Sequence, residues 1–157
     1  MLSSLPSRRV DSTGEEHFAE EKYGAHRGQR TPVEVLVAED DDDMRRLVVQ
    51  ALCDEGFNVL AARSGSELLE HIGNRMLARE GQPLDLIVTD VRMGGVTGLE
   101  VLAGLREHDW STPVILMTAF GDAELHAEAK RLGVVAVLDK PFDLDALRSL
   151  VRPWMRR

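Results

Sequence analysis

Polar side chains capable of joint chemistry follow short apolar runs in this sequence: Glu39, Asp40, Asp90, Thr118 and Lys140. Three carboxylates held close together repel one another unless a cation or protons neutralise them. Oxygen ligands suit a hard ion, and Mg²⁺ typically takes one or two carboxylates and keeps several waters. With the ion bound, Asp90 could attack a phosphoryl group while Thr118 and Lys140 meet the charge on its oxygens.

The segment 84–99 shows most clearly how such a residue is positioned. Residues 86–88 are apolar, which is typical of a strand buried on both faces of a parallel sheet, and Asp90 stands where that strand ends. A glycine-broken loop follows. Because a carboxylate near a buried strand is costly, its place there indicates a function.

Five short apolar runs predict five strands, at residues 33–38, 57–62, 86–89, 114–118 and 134–138. The candidate site residues follow four of them, whereas the second ends at Ala62 without a polar group. In open parallel sheets, sites form at the carboxyl ends of the strands, where the winding direction reverses. We therefore expect the candidate side chains to share one edge of the sheet.

Amphipathic segments between the runs predict five helices. Apolar residues recur at spacings of three and four at Met44, Leu47, Val48, Ala51 and Leu52, at Leu68, Leu69, Ile72 and Met76, at Leu99, Leu102 and Leu105, and at Leu125, Ala129 and Leu132. A fifth helix begins near Asp143 and Asp145, with Arg148 and Arg152 toward its other end. This alternation predicts an α/β fold, a doubly wound five-stranded parallel sheet covered on both faces.

The acidic run that follows the first strand has two readings. Asp41, Asp42 and Asp43 are as typical of an exposed helix start as of a binding site, because acidic residues favour that end of a helix. Asp40, which directly follows the strand, is interpreted as a site residue.

Charge and composition exclude several classes of protein. The net charge of −8 argues against direct DNA binding, because phosphates would be repelled. The single cysteine, Cys53, lies among apolar helical residues, so we expect a buried thiol in a reducing compartment. No apolar run approaches the roughly 20 residues of a membrane span, and residues 1–10 lack a signal-peptide core. We expect a cytoplasmic protein with no membrane contact.

The chain divides into three segments. Residues 1–31 lack periodicity and balance five basic against five acidic residues, which predicts a flexible extension. Residues 32–153 form the predicted α/β domain, and 154–157 a short basic tail.

Four blocks, VLVAEDDDDMRRLV, DLIVTDVRMGGVTGLEVL, PVILMTAF and VLDKPF, resemble the receiver domain of bacterial two-component response regulators over roughly residues 33–152. The resemblance implies the flavodoxin-like strand order 2-1-3-4-5, with Asp90 as the phosphoacceptor for a kinase histidine. It also implies that Asp40, Asp90 and the backbone carbonyl of Arg92 hold Mg²⁺. Glu39 would act directly or through water, and Thr118 and Lys140 would contact the phosphoryl oxygens. A cis Lys140-Pro141 bond is expected as well.

Three positions depart from the usual pattern of that family. Glu39 replaces a common Asp, and Gly94 stands where Pro is frequent. Val137 stands where an aromatic residue commonly turns inward, so we expect switching to depend on Thr118 and the loop after the fourth strand rather than on an aromatic rotamer.

The resemblance implies a signalling module rather than an enzyme, with only self-phosphorylation and self-dephosphorylation as chemistry. The expected partners are a sensor histidine kinase or phosphotransfer protein and an unidentified downstream protein. Because little chain follows the fifth predicted helix, output is expected through protein contacts, and a homodimer is compatible with the resemblance.

Other functions on the same sheet fit less well. A nucleotide- or flavin-binding protein needs a glycine- or hydroxyl-rich loop after the first strand, where this chain has EDDDD. An aspartate-nucleophile phosphatase would want a cap and more chain. A degenerate receiver that works unphosphorylated would not be expected to keep Asp40, Asp90, Thr118 and Lys140.

Overall fold

The computed structural model describes residues 31–78, 84–108 and 110–155. Apart from Thr31, the predicted N-terminal extension lies outside the described residues, and so do the last two residues of the predicted tail. The chain divides into one unit at residues 1–31 and a second at 32–157, and the fold below is that of the second unit.

The second unit alternates strands and helices throughout. The strands are β1 Glu34–Ala38, β2 Asn58–Ala62, β3 Leu86–Asp90, β4 Val114–Thr118 and β5 Ala136–Asp139. The helices are α1 Asp42–Asp54, α2 Gly65–Leu77, α3 Gly98–Glu107, α4 Ala123–Arg131 and α5 Leu144–Met155. All neighbouring strands are parallel, in the order β2-β1-β3-β4-β5. The predicted fold class and strand order are therefore confirmed.

The two faces of the sheet bury separate apolar clusters, as the alternation of side chains along each strand requires. On one face, Leu36, Ile87 and Leu116 pack with residues of α2, α3 and α4. On the other, Val88 and Ile115 pack with residues of α1 and α5. The strands are apolar on both sides because each side meets a helix layer.

Side chains cap four of the helices at their first residues. Asp41, Ser64, Thr97 and Asp122 each accept a hydrogen bond from the backbone N–H three residues further on. Such caps satisfy amide groups that have no partner within the helix. Asp41 is thus a cap, and Asp42 and Asp43 lie exposed in the first turn of α1, as the helix-start reading predicted.

β2 and β5 begin later than predicted, because helix termini occupy residues before them. Phe57 N–H donates to the carbonyl of Leu52, and Val134 N–H to that of Ala129. In both cases the preceding glycine has a positive φ. This is the Schellman arrangement, in which an apolar residue beyond the glycine packs back toward the last helical turn. Phe57 and Val134 therefore belong to helix ends.

The prediction for Cys53 was wrong, since its side chain is exposed. The buried face of α1 consists of Arg45, Val48, Ala51 and Leu52. One residue advances a helix by about 100°, so Cys53 points away from the face that ends at Leu52. Leu47, which was also assigned to the apolar face, is 54% exposed.

Helix α5 extends past the predicted domain end at residue 153. It continues through Pro153 to Met155, and Trp154 is buried in the cluster beneath α1 and α5. Two residues of the predicted basic tail therefore lie in this helix. No helix in the described ranges is long and apolar enough to cross a membrane.

We predict that Gly98→Ala destabilises the protein by about 1 to 3 kcal/mol, because a Cβ there would lie 2.6 Å from the carbonyl oxygen of Asp90. Gly104→Ala in the same helix is the matched control. A Cβ at Gly104 meets nothing within 4 Å, so alanine should raise stability by up to about 1 kcal/mol through helix propensity. Urea unfolding of both variants is the measurement, and equal stabilities would contradict the prediction.

Candidate functional site

Four parallel strands bring the predicted site residues to one edge of the sheet. Glu39 directly follows β1, Asp90 and Thr118 are the last residues of β3 and β4, and Lys140 directly follows β5. Thr118 is paired in register with Asp139, so Lys140 lies one step beyond the end of β4. The expectation that these side chains share the carboxyl edge is confirmed.

The Lys140 ammonium joins two of the carboxylates. Its Nζ donates to Glu39 Oε2 at 2.8 Å and to Asp90 Oδ2 at 2.9 Å. Glu39 is 1% exposed and Asp90 6%. The Lys140 backbone N–H donates to the Thr118 carbonyl at 2.7 Å, and the Lys140-Pro141 bond is cis, as the resemblance implied.

Burial and charge shift the proton equilibria of this group. Burial raises the pKa of Glu39 to about 7, against the hydrogen bond from Lys140, and the negative charge of Asp90 adds to the rise. Burial lowers the pKa of Lys140, but its bonds to Glu39 and Asp90 outweigh that effect, so its pKa lies above the usual value. The Lys140 side chain therefore stays protonated and positively charged at neutral pH. A metal ion that bound Glu39 would have to displace the proton that the raised pKa favours there.

Glu39, Asp40 and Asp90 form an acidic cluster. They offer carboxylate oxygens that all lie within 4.8 Å of one another, and Asp40 alone of the three is exposed. With Lys140 beside them, the formal charge of fully ionised side chains is about −2, which suits a divalent ion. The donor set, oxygens with one side open to water, fits Mg²⁺. The Arg92 N–H donates to Asp90 Oδ1 at 3.2 Å, and a role for the Arg92 carbonyl stays a prediction.

Thr118 contributes a hydroxyl to the same edge. The side chain is buried, and its Oγ1 accepts a hydrogen bond from the Phe120 N–H at 3.1 Å. Because a hydroxyl can accept one bond while donating another, its proton remains available to a further acceptor.

Two side chains, each two residues beyond a strand end of the site, lie together. The Arg92 guanidinium carbon is 5.2 Å from the centre of the Phe120 ring, which is cation–π geometry. Both residues are exposed and line a cavity of about 260 Å³ together with Thr118, Leu99 and Leu125. The cavity thus extends from Thr118 to the face of α4.

Arg45 is a residue of this region that the sequence reasoning missed. It lies on the buried face of α1, and its Nη1 donates to the Glu39 carbonyl at 3.0 Å. It also pairs with Asp42, whose pKa falls because of the hydrogen bond and charge of Arg45. A signal was present, since Arg45 stands three and seven residues before Val48 and Leu52 and so shares their face.

Two departures from the family pattern can be placed in the fold. Val137 is half-buried and packs against the cluster on the α2, α3 and α4 side, so no aromatic side chain stands at that point. Gly94 has φ of 68°. Proline cannot adopt that value, so the backbone after Asp90 has a course that the more usual residue would exclude.

Comparison with known proteins gives one consistent result. Residues 35–152 match the family model described as the response regulator receiver domain. Regulatory protein AtoC of Escherichia coli (strain K12) is 36% identical over 118 residues, 75% of this chain and 24% of that protein. Transcriptional regulatory protein FixJ of Azorhizobium caulinodans is 39% identical over 128 residues, 80% of this chain and 56% of that protein. The chain thus spans about a quarter and about half of these relatives.

Solved structures agree. The chemotaxis protein CheY4 of Vibrio cholerae superimposes with a TM-score of 0.66 at 29% identity, over 78% of this chain and 98% of that one.

We predict that millimolar Mg²⁺ raises the melting temperature, because an ion that binds only the folded state stabilises it by RT ln(1 + [L]/Kd). Asp40→Asn should weaken that response and leave the metal-free protein at least as stable, since it removes a like charge from the acidic cluster. Asp43→Asn, exposed in the first turn of α1 and outside the cluster, is the control. A wild-type melting temperature indifferent to Mg²⁺ would contradict the prediction.

Proposed function

Because this chain belongs to the response regulator receiver domain family, the signalling modules of two-component systems, we propose that it takes a phosphoryl group onto Asp90 from a histidine kinase or phosphotransfer protein. The phosphorylated form then signals by altered protein contacts. The observation that carries the proposal is the Asp90 carboxylate, held beside the Lys140 ammonium at 2.9 Å and next to two further carboxylates.

The proposed reaction transfers the phosphoryl group from an imidazole nitrogen of the donor to a carboxylate oxygen of Asp90. A carboxylate oxygen of Asp90 attacks phosphorus, the P–O bond forms, and the P–N bond to the donor imidazole breaks, after which the imidazole takes up a proton. Lys140 is bonded to Asp90, and Thr118 ends the neighbouring strand β4, so we propose that both bond to the phosphoryl oxygens. Their role is to stabilise the negative charge on the phosphoryl oxygens, which the neighbouring carboxylates would otherwise repel.

Glu39, Asp40 and Asp90 are the residues proposed to hold Mg²⁺, with the backbone carbonyl of Arg92. When bound, the ion screens the negative charge of the carboxylate from that of the incoming phosphoryl group. Lys140 already neutralises part of the cluster, and the exposed side of Asp40 leaves room for waters on the ion.

The output is proposed to be a contact with another protein. Two relatives are named as regulatory proteins, and this chain matches only part of each. Since Val137 replaces the usual aromatic residue, we propose that phosphorylation acts through Thr118 and the loop that leads to α4. In that loop the Phe120 N–H is bonded to the Thr118 hydroxyl, so a shift of Thr118 toward a phosphoryl group would move Phe120 with it.

We predict that Asp90→Asn abolishes phosphorylation by acetyl phosphate with Mg²⁺, because the nucleophilic oxygen is replaced. Asp139→Asn, at the end of β5, which β4 separates from β3, is the control and should still be phosphorylated. Intact-mass measurement of acid-labile phosphate reports the result. Undiminished phosphate on folded Asp90→Asn would refute the assignment.

The Arg92 and Phe120 pair is proposed to lengthen the life of phospho-Asp90. Hydrolysis needs a water in line with the P–O bond. Arg92 and Phe120 lie two residues beyond Asp90 and Thr118 and line a cavity that Thr118 also lines, so we propose that they cover the approach of that water. Phe120 cannot orient a water, while Arg92 can bond to a phosphoryl oxygen and stabilise the ground state.

We therefore predict that Phe120→Ala and Arg92→Asn each speed the loss of phosphate once the donor is removed. Leu77→Ala, at another exposed apolar residue that is remote in sequence on α2, is the control and should leave the rate unchanged. The rate follows from acid-labile phosphate over time after desalting. Wild-type rates in both site variants would remove the basis of this shielding role.

A further inference from the structure

Arg45 stands out among the charged groups that the proposed reaction does not use. Its side chain is 11% exposed although it carries a permanent charge. Among the described residues, no other arginine is buried. Burying a guanidinium is costly unless its donors are bonded, so the contacts that Arg45 makes show what retains it there.

The first contact fixes the peptide that carries Asp40. The last register pair of β1 and β2 is Ala38 with Ala62, and the Glu39 N–H still donates to the Ala62 carbonyl. The Glu39 carbonyl lies beyond that ladder, and Arg45 Nη1 donates to it at 3.0 Å. This carbonyl and the Asp40 N–H belong to one peptide plane, so the bond sets the direction in which Asp40 leaves the strand.

The second contact ties the same guanidinium to the start of α1. Arg45 Nη2 pairs with the Asp42 carboxylate in the first turn. One planar group therefore spans the acidic loop, from the carbonyl of Glu39 to the side chain of Asp42. A guanidinium can hold two acceptors in a fixed geometry, whereas an ammonium is a point charge without that fork.

We propose that Arg45 is a positioning residue for cation binding, which holds the loop of Glu39 and Asp40 in the arrangement that meets Asp90. The proposal rests on the function proposed above for the acidic cluster. Arg45 does not touch the ion. Groups that hydrogen-bond to metal-binding residues typically change metal affinity by about 10- to 100-fold when they are removed.

An effect of the Arg45 charge alone would change Mg²⁺ affinity in the opposite direction, so the two explanations can be distinguished. A positive guanidinium near the cluster repels a divalent cation, so its removal should tighten Mg²⁺ binding if Arg45 acts only through its field. If it positions the loop, removal should weaken binding.

The test compares Mg²⁺ affinity by calorimetry in the Arg45→Gln and Arg46→Gln variants of the 157-residue chain. Arg46 lies on the same turn, loses the same charge and is 76% exposed, with its nearest carboxylate 3.9 Å away. We expect Arg45→Gln to weaken binding about tenfold or more, with Arg46→Gln unchanged or tighter. Arg45→Lys, which keeps the charge and loses the fork, should recover only part of the affinity. Equal affinity in Arg45→Gln and Arg46→Gln would overturn the proposal.

A second pair of variants decides the matter if Arg45→Gln does not fold. Asp42→Asn and Asp43→Asn each remove one exposed negative charge from adjacent positions, but only Asp42 is bonded to Arg45. Asp42→Asn should weaken Mg²⁺ binding more than Asp43→Asn. Identical affinities in the two would overturn the proposal.

A metal-free measurement separates this proposal from the proposed function. The Asp41 N–H donates to Glu39 Oε1 at 3.2 Å, so hydrogen exchange at Asp41 reports the order of the loop. Exchange should be faster when the contacts of Arg45 are weakened, in Arg45→Gln or Asp42→Asn, than in the matched Arg46 or Asp43 variant. If wild type binds no Mg²⁺, the cation role of the cluster fails, together with the proposal that Arg45 serves it, while this exchange still reports whether Arg45 orders the loop.

Discussion

The bond between the Lys140 ammonium and two buried carboxylates is the interaction on which this edge of the sheet depends. Glu39 and Asp90 are 51 residues apart along the chain, and Lys140 lies 50 residues after Asp90. Side by side and nearly excluded from water, the two carboxylates would repel each other strongly. The ammonium makes their approach tolerable, and it can do so only because β1, β3, β4 and β5 all run in the same direction.

That arrangement creates a site that is stable yet incompletely neutralised. Asp40 adds a third carboxylate at the exposed side, and the pKa of Glu39 rises to about 7 chiefly because the group is buried. Lys140 is bonded to Glu39 and Asp90, Arg45 is bonded to the Glu39 carbonyl, and the three ionised carboxylates still exceed the charge of the ammonium. Two apolar clusters, one on each face of the sheet, provide the rigid base that prevents the carboxylates from moving apart.

The helices and the meeting of Glu39, Asp90, Thr118 and Lys140 at one edge of the sheet could be predicted, because polar residues at the ends of apolar runs leave few alternatives in a parallel sheet. The strand order came from the resemblance to receiver domains. Helix termini were harder. Phe57 and Val134 look like strand residues, since the same apolar type serves to pack a residue beyond a glycine-ended helix. Arg45 was missed although it shares the face of Val48 and Leu52, because a charged side chain is ordinarily assigned to the exposed face of a helix. Cys53 was misassigned because one residue advances a helix by about 100°, which turns it away from the face that ends at Leu52.

Helix α5 has one more consequence, which concerns where this domain can be cut. Pro153 is compatible with the last turn, and Trp154 beyond it fills the space beside Leu147 and Val151. A fragment that ended at the proline would lose a large core side chain, a change of the kind that costs about 3 to 5 kcal/mol. It would also uncover apolar residues of the same cluster, so the boundary for a stable fragment lies after Met155.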